Sequence, residues 1–415
     1  MAESQHPSPS PRLAYLESIR GLAAMQVLLL HCFSAFAPAL VFPPAVDANI
    51  GTAIHLSPLF FLYDGFSAVY IFFVLSGLVL TGAFARQLAH PFAVVAGRAI
   101  RLGIPALTAT LAAAAIMALF GRPNVEAGRM LGSDWFATLW HPTLSLGSAV
   151  RDGLLNALLL GYRDMPGVAF LAPWQQSGAQ SFAVPLWTLS IEFYGSLLIL
   201  SLCLIRRQSK ALWWIAMLLG AIFYVRSAYI CFFAGHLLAT LSRPDHKPTR
   251  RAWPALAVIL GVACCVLSET WQPAWLHDFC RLSTPLLFPD QSTQFMQKAF
   301  GAICILCGVL NWPAARVALS KSWLVNLSRL SFPLYLVHWP ILFGPTAAFF
   351  LLITPRLGTT VANALSIVLA IMLSLAASLA FVRVDDIALA LSRRIRKLRP
   401  TPLPSGTGDR LQPAE

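Results

Sequence analysis

Apolar runs of about 15–25 residues recur along almost the whole of this chain, and that recurrence limits its fold more than any other feature. A run of that length matches the ~20 residues an α-helix needs to cross a bilayer core. Lipid offers no partners to backbone N–H and C=O groups, so the runs are expected to satisfy them internally, as helices. Composition agrees: 57% of residues are hydrophobic and 11% charged, where soluble domains carry roughly 25% charged residues. Ten spans are predicted, at 19–41, 66–85, 102–120, 184–205, 211–225, 228–241, 253–268, 298–312, 332–353 and 360–383. The expected architecture is an all-α integral membrane protein with one membrane domain over 16–385. A Pro/Ser-rich lead at 1–15 and a basic, then Pro/Gly-rich, tail at 386–415 are expected to be disordered.

The net charge of +13 could suggest nucleic acid, but its distribution excludes that class. The cations sit in short segments between apolar runs, as topogenic charges do. With the N-terminus in the cytoplasm, all but eight of the 30 Lys and Arg residues fall on the cytoplasmic side. The exceptions are Arg122, Arg129, Arg151, Arg163, Arg226, Arg281, Lys298 and Arg356. An even number of spans keeps this bias, so both termini are predicted cytoplasmic and the protein multi-pass in the inner (plasma) membrane. The first run is as long as a span and many follow it, which marks a retained helix rather than a cleaved leader. Cys304 and Cys307 share a helix face without Cys or His partners, so no metal is expected.

Four constellations carry chemistry. In Leu16–Cys32, Arg20 and His31 are eleven residues apart, hence on one helix face and about 16 Å apart along the axis. An intramembrane histidine is a functional candidate, although an anchor arginine and a packing histidine would look the same. Arg98 and Arg101 lie at i and i+3 at the mouth of the third span, where forked donors suit a phosphate or a purely topogenic role. Glu192 is the only carboxylate placed within a span and needs a cationic or hydrogen-bonding partner, with His31 and Arg226 as candidates. Ser331, Tyr335 and His338 share a face of the ninth span, ahead of Pro340. Beyond these, Ser76 and Gly77 read as close-packing residues. Leu154–Leu160 reads as a re-entrant or interfacial helix within the long segment 121–183. The aromatic–polar loop 269–297, with Trp271, Trp275, Asp278 and Asp290, suits sugar or membrane-interface contacts.

The ordered series of Arg20 with His31, FFVLSGLVLT, RAIR, LWTLSIEFY and SFPLYLVHWP resembles the acyltransferase-3 family of multi-pass membrane acyltransferases. The resemblance implies transfer of an acyl group, commonly acetyl from acetyl-CoA, to a hydroxyl of a carbohydrate or glycolipid acceptor of the cell envelope. It implies acyl-CoA as donor, membrane lipid as surroundings and no metal. On this reading Arg98, Arg101 and Arg20 hold the CoA phosphates, His31 is the general base and Glu192 orients it. Tyr335, Ser331 or His338 then donate to the oxyanion. Two departures stand out. Val384-Asp-Asp-Ile replaces the Glu-x-Pro element of many relatives, so Asp385 and Asp386 receive no family role, and Phe332 replaces the usual tyrosine after Ser331. Without the motif series, an ion-coupled transporter or flippase would fit the same polytopic helices with buried His, Glu and Arg.

Overall fold

The computed structural model describes residues 14–42, 50–241, 252–269, 271–276, 278 and 293–397. These form ten main helices: α1 (Ala14–Phe36), α2 (Gly65–Phe84), α3 (Pro91–Phe120), α4 (Trp187–Gln208), α5 (Lys210–Tyr224), α6 (Tyr229–Leu241), α7 (Trp253–Leu267), α8 (Thr293–Asn311), α9 (Ser322–Ile341) and α10 (Ala347–Lys397). There is no strand among the described residues, only an isolated bridge between Tyr162 and Gln176.

Six described helical stretches are long and apolar enough to cross a membrane, and the last of them, Ser322–Arg396, holds two of the predicted spans. The three shorter apolar helices, α5, α6 and α7, fall on the predicted spans 211–225, 228–241 and 253–268. Leu212, Ile215, Leu218, Leu219 and Ile222 of α5 are all exposed, a face that would aggregate in water and that lipid covers.

Three boundaries moved for identifiable reasons. The first helix ends at Phe36 because Pro38 opens a separate 3-10 turn. The third starts at Pro91, a favoured first helical position, so Arg98 and Arg101 lie inside a helix rather than at its mouth. The tail is helical to Lys397, twelve residues past the predicted domain edge at 385. The expected disorder at 1–13 and 398–415 lies outside the described residues, as do Asp290 and most of the 269–297 loop.

The chain reverses inside α10. Gly358 sits at φ +74°, a left-handed conformation open to glycine, and it separates a limb at 347–357 from one at 359–397. The second limb returns along α9 and α3, which brings Asp385 to Arg101 and Asp386 to Arg329.

α1 lies at the centre, packed along α9 and α2 with contacts to α10. Gly77 and Gly235 let the α2 and α6 backbones touch: a Cβ on Gly77 would meet the Phe232 carbonyl oxygen at 2.4 Å, and one on Gly235 the Val74 carbonyl oxygen at 2.2 Å. Buried His236 pins the same junction. Trp213 donates to its Nε2 at 2.9 Å, so its Nδ1 carries the proton and meets Thr81 Oγ1 at 2.8 Å. Both ring nitrogens are therefore used structurally.

At the other end of α2, Asp64 caps the helix by accepting from the Ser67 N–H and hydroxyl. Lys298 of α8, with no solvent exposure, lies 2.8 Å from both Asp64 and Glu269. His55 Nε2 is 3.6 Å from Glu269, and its Nδ1 meets the Leu40 carbonyl at 3.1 Å. One buried cation thus ties the segment before α2 to α7 and α8. Burial alone would raise the Glu269 carboxyl, but the hydrogen bond from His55 and the charge of Lys298 outweigh it and hold the group at about 2. The apolar patch Leu154–Leu160 belongs to a π-helix, Asp152–Leu160, packed against α3 and α4.

Candidate active site

Two cavities meet inside the bundle, and the order of residues along α1 places one on the Arg20 side and the other on the His31 side. The first, of about 120 Å³, is lined by Arg20, Arg98, Arg101, Ser76, Glu192, Ser331 and Tyr335 together with apolar residues of α2, α3, α4 and α9. Arg98 donates to Glu192 at 2.8 Å, and Ser76 donates to the other carboxylate oxygen. Arg101 forks onto both oxygens of Asp385, the second at 3.0 Å, and its guanidinium lies 5.1 Å from the centre of the Phe332 ring. Arg20 is the least committed cation: among the described residues it reaches only Glu17, at 3.5 Å, with 37% of its side chain exposed. Arg98 Nε is buried and has no hydrogen-bond partner among the described residues. Each of the three guanidiniums has a carboxylate beside it, but the Arg20 contact is long and half-exposed and the Arg98 Nε–H is orphaned, so donors remain on this wall for an anion.

The second cavity, of about 210 Å³, is lined by His31, Ser34, Trp135, Asp164, Trp339 and Tyr335 among apolar residues. His31 Nδ1 lies 2.8 Å from His338 Nε2, with the rings within 8° of parallel. The protons follow from a carbonyl. His338 Nδ1 is 2.9 Å from the Leu334 carbonyl oxygen, which can only accept, so Nδ1 carries the proton and Nε2 of a neutral ring does not. His31 Nδ1 must then donate, which leaves the His31 Nε2 lone pair without a partner among the described residues. Trp135 lies parallel to His31 at 5.6 Å and Trp339 stands edge-on at 5.2 Å, so the ring has little freedom to turn. Trp339 Nε1 is buried on the cavity wall with no partner among the described residues.

Tyr335 and Val69 line both cavities and form the wall between them. The Tyr335 hydroxyl donates to the Pro185 carbonyl at 2.7 Å and lies 2.9 Å from Thr188. This contact ties α9 to the turn that opens α4.

A model of the acyltransferase domain matches residues 13–383. The chain belongs to the acyltransferase-3 family. Among curated proteins, it is 25% identical over 378 residues to an O-acetyltransferase, PaAT-1, of Phomopsis amygdali, covering 79% of this chain and 72% of that one. No solved structure matches. The protein is thus an acyltransferase of the multi-pass membrane type, and nothing found favours the transporter.

In this acyltransferase all the predicted site residues converge, but not in the predicted pairs. Glu192 is satisfied by Arg98 and Ser76, not by His31 or Arg226. His338 orients His31 instead. Arg98 and Arg101, expected to be free for phosphate, each hold a carboxylate. The protons of Tyr335 and Ser331 are committed to the carbonyls of Pro185 and Ser328, so neither is a ready oxyanion donor. Sequence reasoning missed Ser76, which binds Glu192 rather than merely packing, and Asp385, the partner of Arg101. It also missed Trp135 and Trp339. The adjacency of Trp339 to His338 in SFPLYLVHWP was the one signal available for it.

Proposed function

We propose that this acyltransferase moves an acetyl group from cytoplasmic acetyl-CoA to a hydroxyl of an envelope or exported carbohydrate. The observation that carries the reading is the pair of cavities, cationic on the Arg20 side and histidine-bearing on the other, meeting at Tyr335. The charge bias along the sequence supports a cytoplasmic Arg20 side, in an inner-membrane bundle of ten spans with both termini inside. The name of the fungal relative supports O-acetyl transfer.

The first cavity is too small for a whole CoA, so it takes the acyl-pantetheine end while the nucleotide stays at its mouth. Arg20 is the first ligand to the phosphates, and Arg98 Nε and the outer faces of Arg98 and Arg101 add to the field. Glu192 and Asp385 act as positioning residues that hold the two guanidiniums in place. The acceptor hydroxyl enters the second cavity and gives its proton to His31 Nε2 as its oxygen attacks the thioester carbonyl. His31 is then cationic, and its Nδ1–H to His338 becomes a charge-assisted bond of greater strength. Collapse of the tetrahedral intermediate breaks the C–S bond, and the thiolate takes the proton back from His31. The N–H of Trp339 is the donor best placed to stabilise the oxyanion.

Mass spectrometry of envelope glycans from cells with and without the protein tests the reading. The expected result is one acetyl group lost, and restored by the wild-type chain. Unchanged glycans would remove the carbohydrate acceptor.

A further inference from the structure

The segment between the π-helix and α4 has a second face that the site above does not use. An open groove of about 740 Å³ is lined there by Arg151, Arg163, Trp174, Gln176, Ser177 and Gln180, with no carboxylate among its lining residues. Trp174 is 61% exposed, and Arg151 has no hydrogen bond or ion pair among the described residues. Arg163 is held in place by a 3.1 Å bond to the Gln175 carbonyl, which leaves its other donors for a ligand.

The groove is built rather than accidental. Its floor is organised by Asp152, 1% exposed, which accepts from Tyr162 at 2.9 Å, Gln176 at 2.8 Å, Ser181 at 3.0 Å and the Phe182 N–H at 2.8 Å. Two more hydrogen bonds order the next carboxylate: Ser177 donates to Asp164 at 2.9 Å, and the Gly178 N–H donates to it at 2.6 Å. Asp164 lines the His31 cavity and Ser177 lines the groove. One hydrogen bond therefore separates the two spaces.

We propose that this groove is a second acceptor subsite, which holds an acidic sugar ring one or more positions along the chain from the ring being acylated. The inference rests on the carbohydrate reading of the preceding subsection and narrows it to anionic glycans. An indole face stacks on the apolar face of a sugar ring, side-chain amides bond to vicinal hydroxyls in both directions, and two guanidiniums fork onto a carboxylate or phosphate. A neutral glycan would leave both arginines unused. An interfacial anchoring role for Trp174 would use the indole but not the flanking arginines and glutamines.

The test uses the full chain in nanodiscs of zwitterionic lipid, without donor. Tetragalacturonate, maltotetraose and a phosphorylated maltotetraose are titrated by calorimetry against wild type, Trp174→Ala and the double variant Arg151→Gln/Arg163→Gln. Wild type is expected to bind an acidic tetrasaccharide at least tenfold more tightly than the neutral one. The arms separate carboxylate from phosphate as the preferred anion. Either variant should lose at least tenfold. In membranes, Trp174→Ala should raise the acceptor KM at least tenfold with the KM for acetyl-CoA within twofold of wild type.

Equal binding of acidic and neutral probes, or variants that bind as wild type does, would overturn the proposal. Binding is read without acyl transfer, so a failed groove with intact glycan acetylation refutes this inference alone. Tight binding without any acetylation refutes the function and leaves the subsite.

Discussion

Replacing His338 with alanine isolates the step on which the base assignment depends. In the native protein the Leu334 carbonyl fixes the tautomer of His338, and His338 in turn fixes that of His31, through contacts of 2.9 and 2.8 Å. Alanine removes the acceptor for His31 Nδ1–H, so the imidazole is free to carry its proton on Nε2, where it cannot act as a base. The neutral hydrogen bond is worth about 0.5–1.5 kcal/mol, and the charge-assisted bond formed during proton transfer about 1.5–3 kcal/mol. The transition state loses the larger figure and the ground state the smaller, so their difference of about 1–1.5 kcal/mol, with the loss of the productive tautomer, should lower kcat at least about tenfold. Glutamine can present an amide oxygen near the position of Nε2 and should restore activity to within about threefold of wild type. The assay is transfer of labelled acetyl from acetyl-CoA, run on protein whose thermal unfolding shows the fold intact. A folded His338→Ala protein with kcat within threefold of wild type would refute the tautomer argument.

Four further outcomes follow from the ion pairs. Arg98→Lys keeps the charge but loses the fork to Glu192 and the orphaned Nε, so KM for acetyl-CoA should rise about tenfold. Arg329→Ala, at an exposed pair 3.7 Å long, should cost less than about 1 kcal/mol in unfolding and leave both KM values unchanged. Lys298→Met strands Asp64 and Glu269 without their buried cation and should destabilise the protein by about 3–5 kcal/mol, read as a large drop in melting temperature. Glu269 has its folded-state pKa held below the ordinary 4.5, at about 2. Its contribution, roughly 3 kcal/mol, is therefore complete above pH 4.5 and lost as pH falls toward 2. Thermal unfolding from pH 6 to pH 3 should show that loss in wild type and a flatter profile in Glu269→Gln.

The sequence was most legible where one physical constraint acts on many residues at once. Apolar runs located every main helix, including α5, α6 and α7, which are shorter than the length that crosses a membrane, because an apolar run away from water must satisfy its own backbone. The facing of Arg20 and His31, and of Tyr335 and His338, followed from helical period alone. Pairing across helices was harder to read. A buried carboxylate demands a partner, but the sequence holds many cations and the bundle decides which one arrives. Glu192 met Arg98 because α3 begins at Pro91 and carries that arginine deep into the bundle. Asp385 met Arg101 because Gly358 turns the last helix back, a reversal that a glycine between two apolar runs signals only weakly. The histidine dyad joins residues 307 positions apart, and no local pattern encodes it.

In the proposed mechanism an acetyl group enters from the Arg20 side and leaves on the His31 side, with His31 as base. Sealed inside-out vesicles from cells making the protein, supplied with radiolabelled acetyl-CoA on their outer, cytoplasmic face, test it most directly. Label is expected on glycan inside the wild-type vesicles, and background label with a folded, inserted His31→Ala protein. Equal labelling by the two proteins, or label confined to acceptors on the acetyl-CoA side, would contradict it.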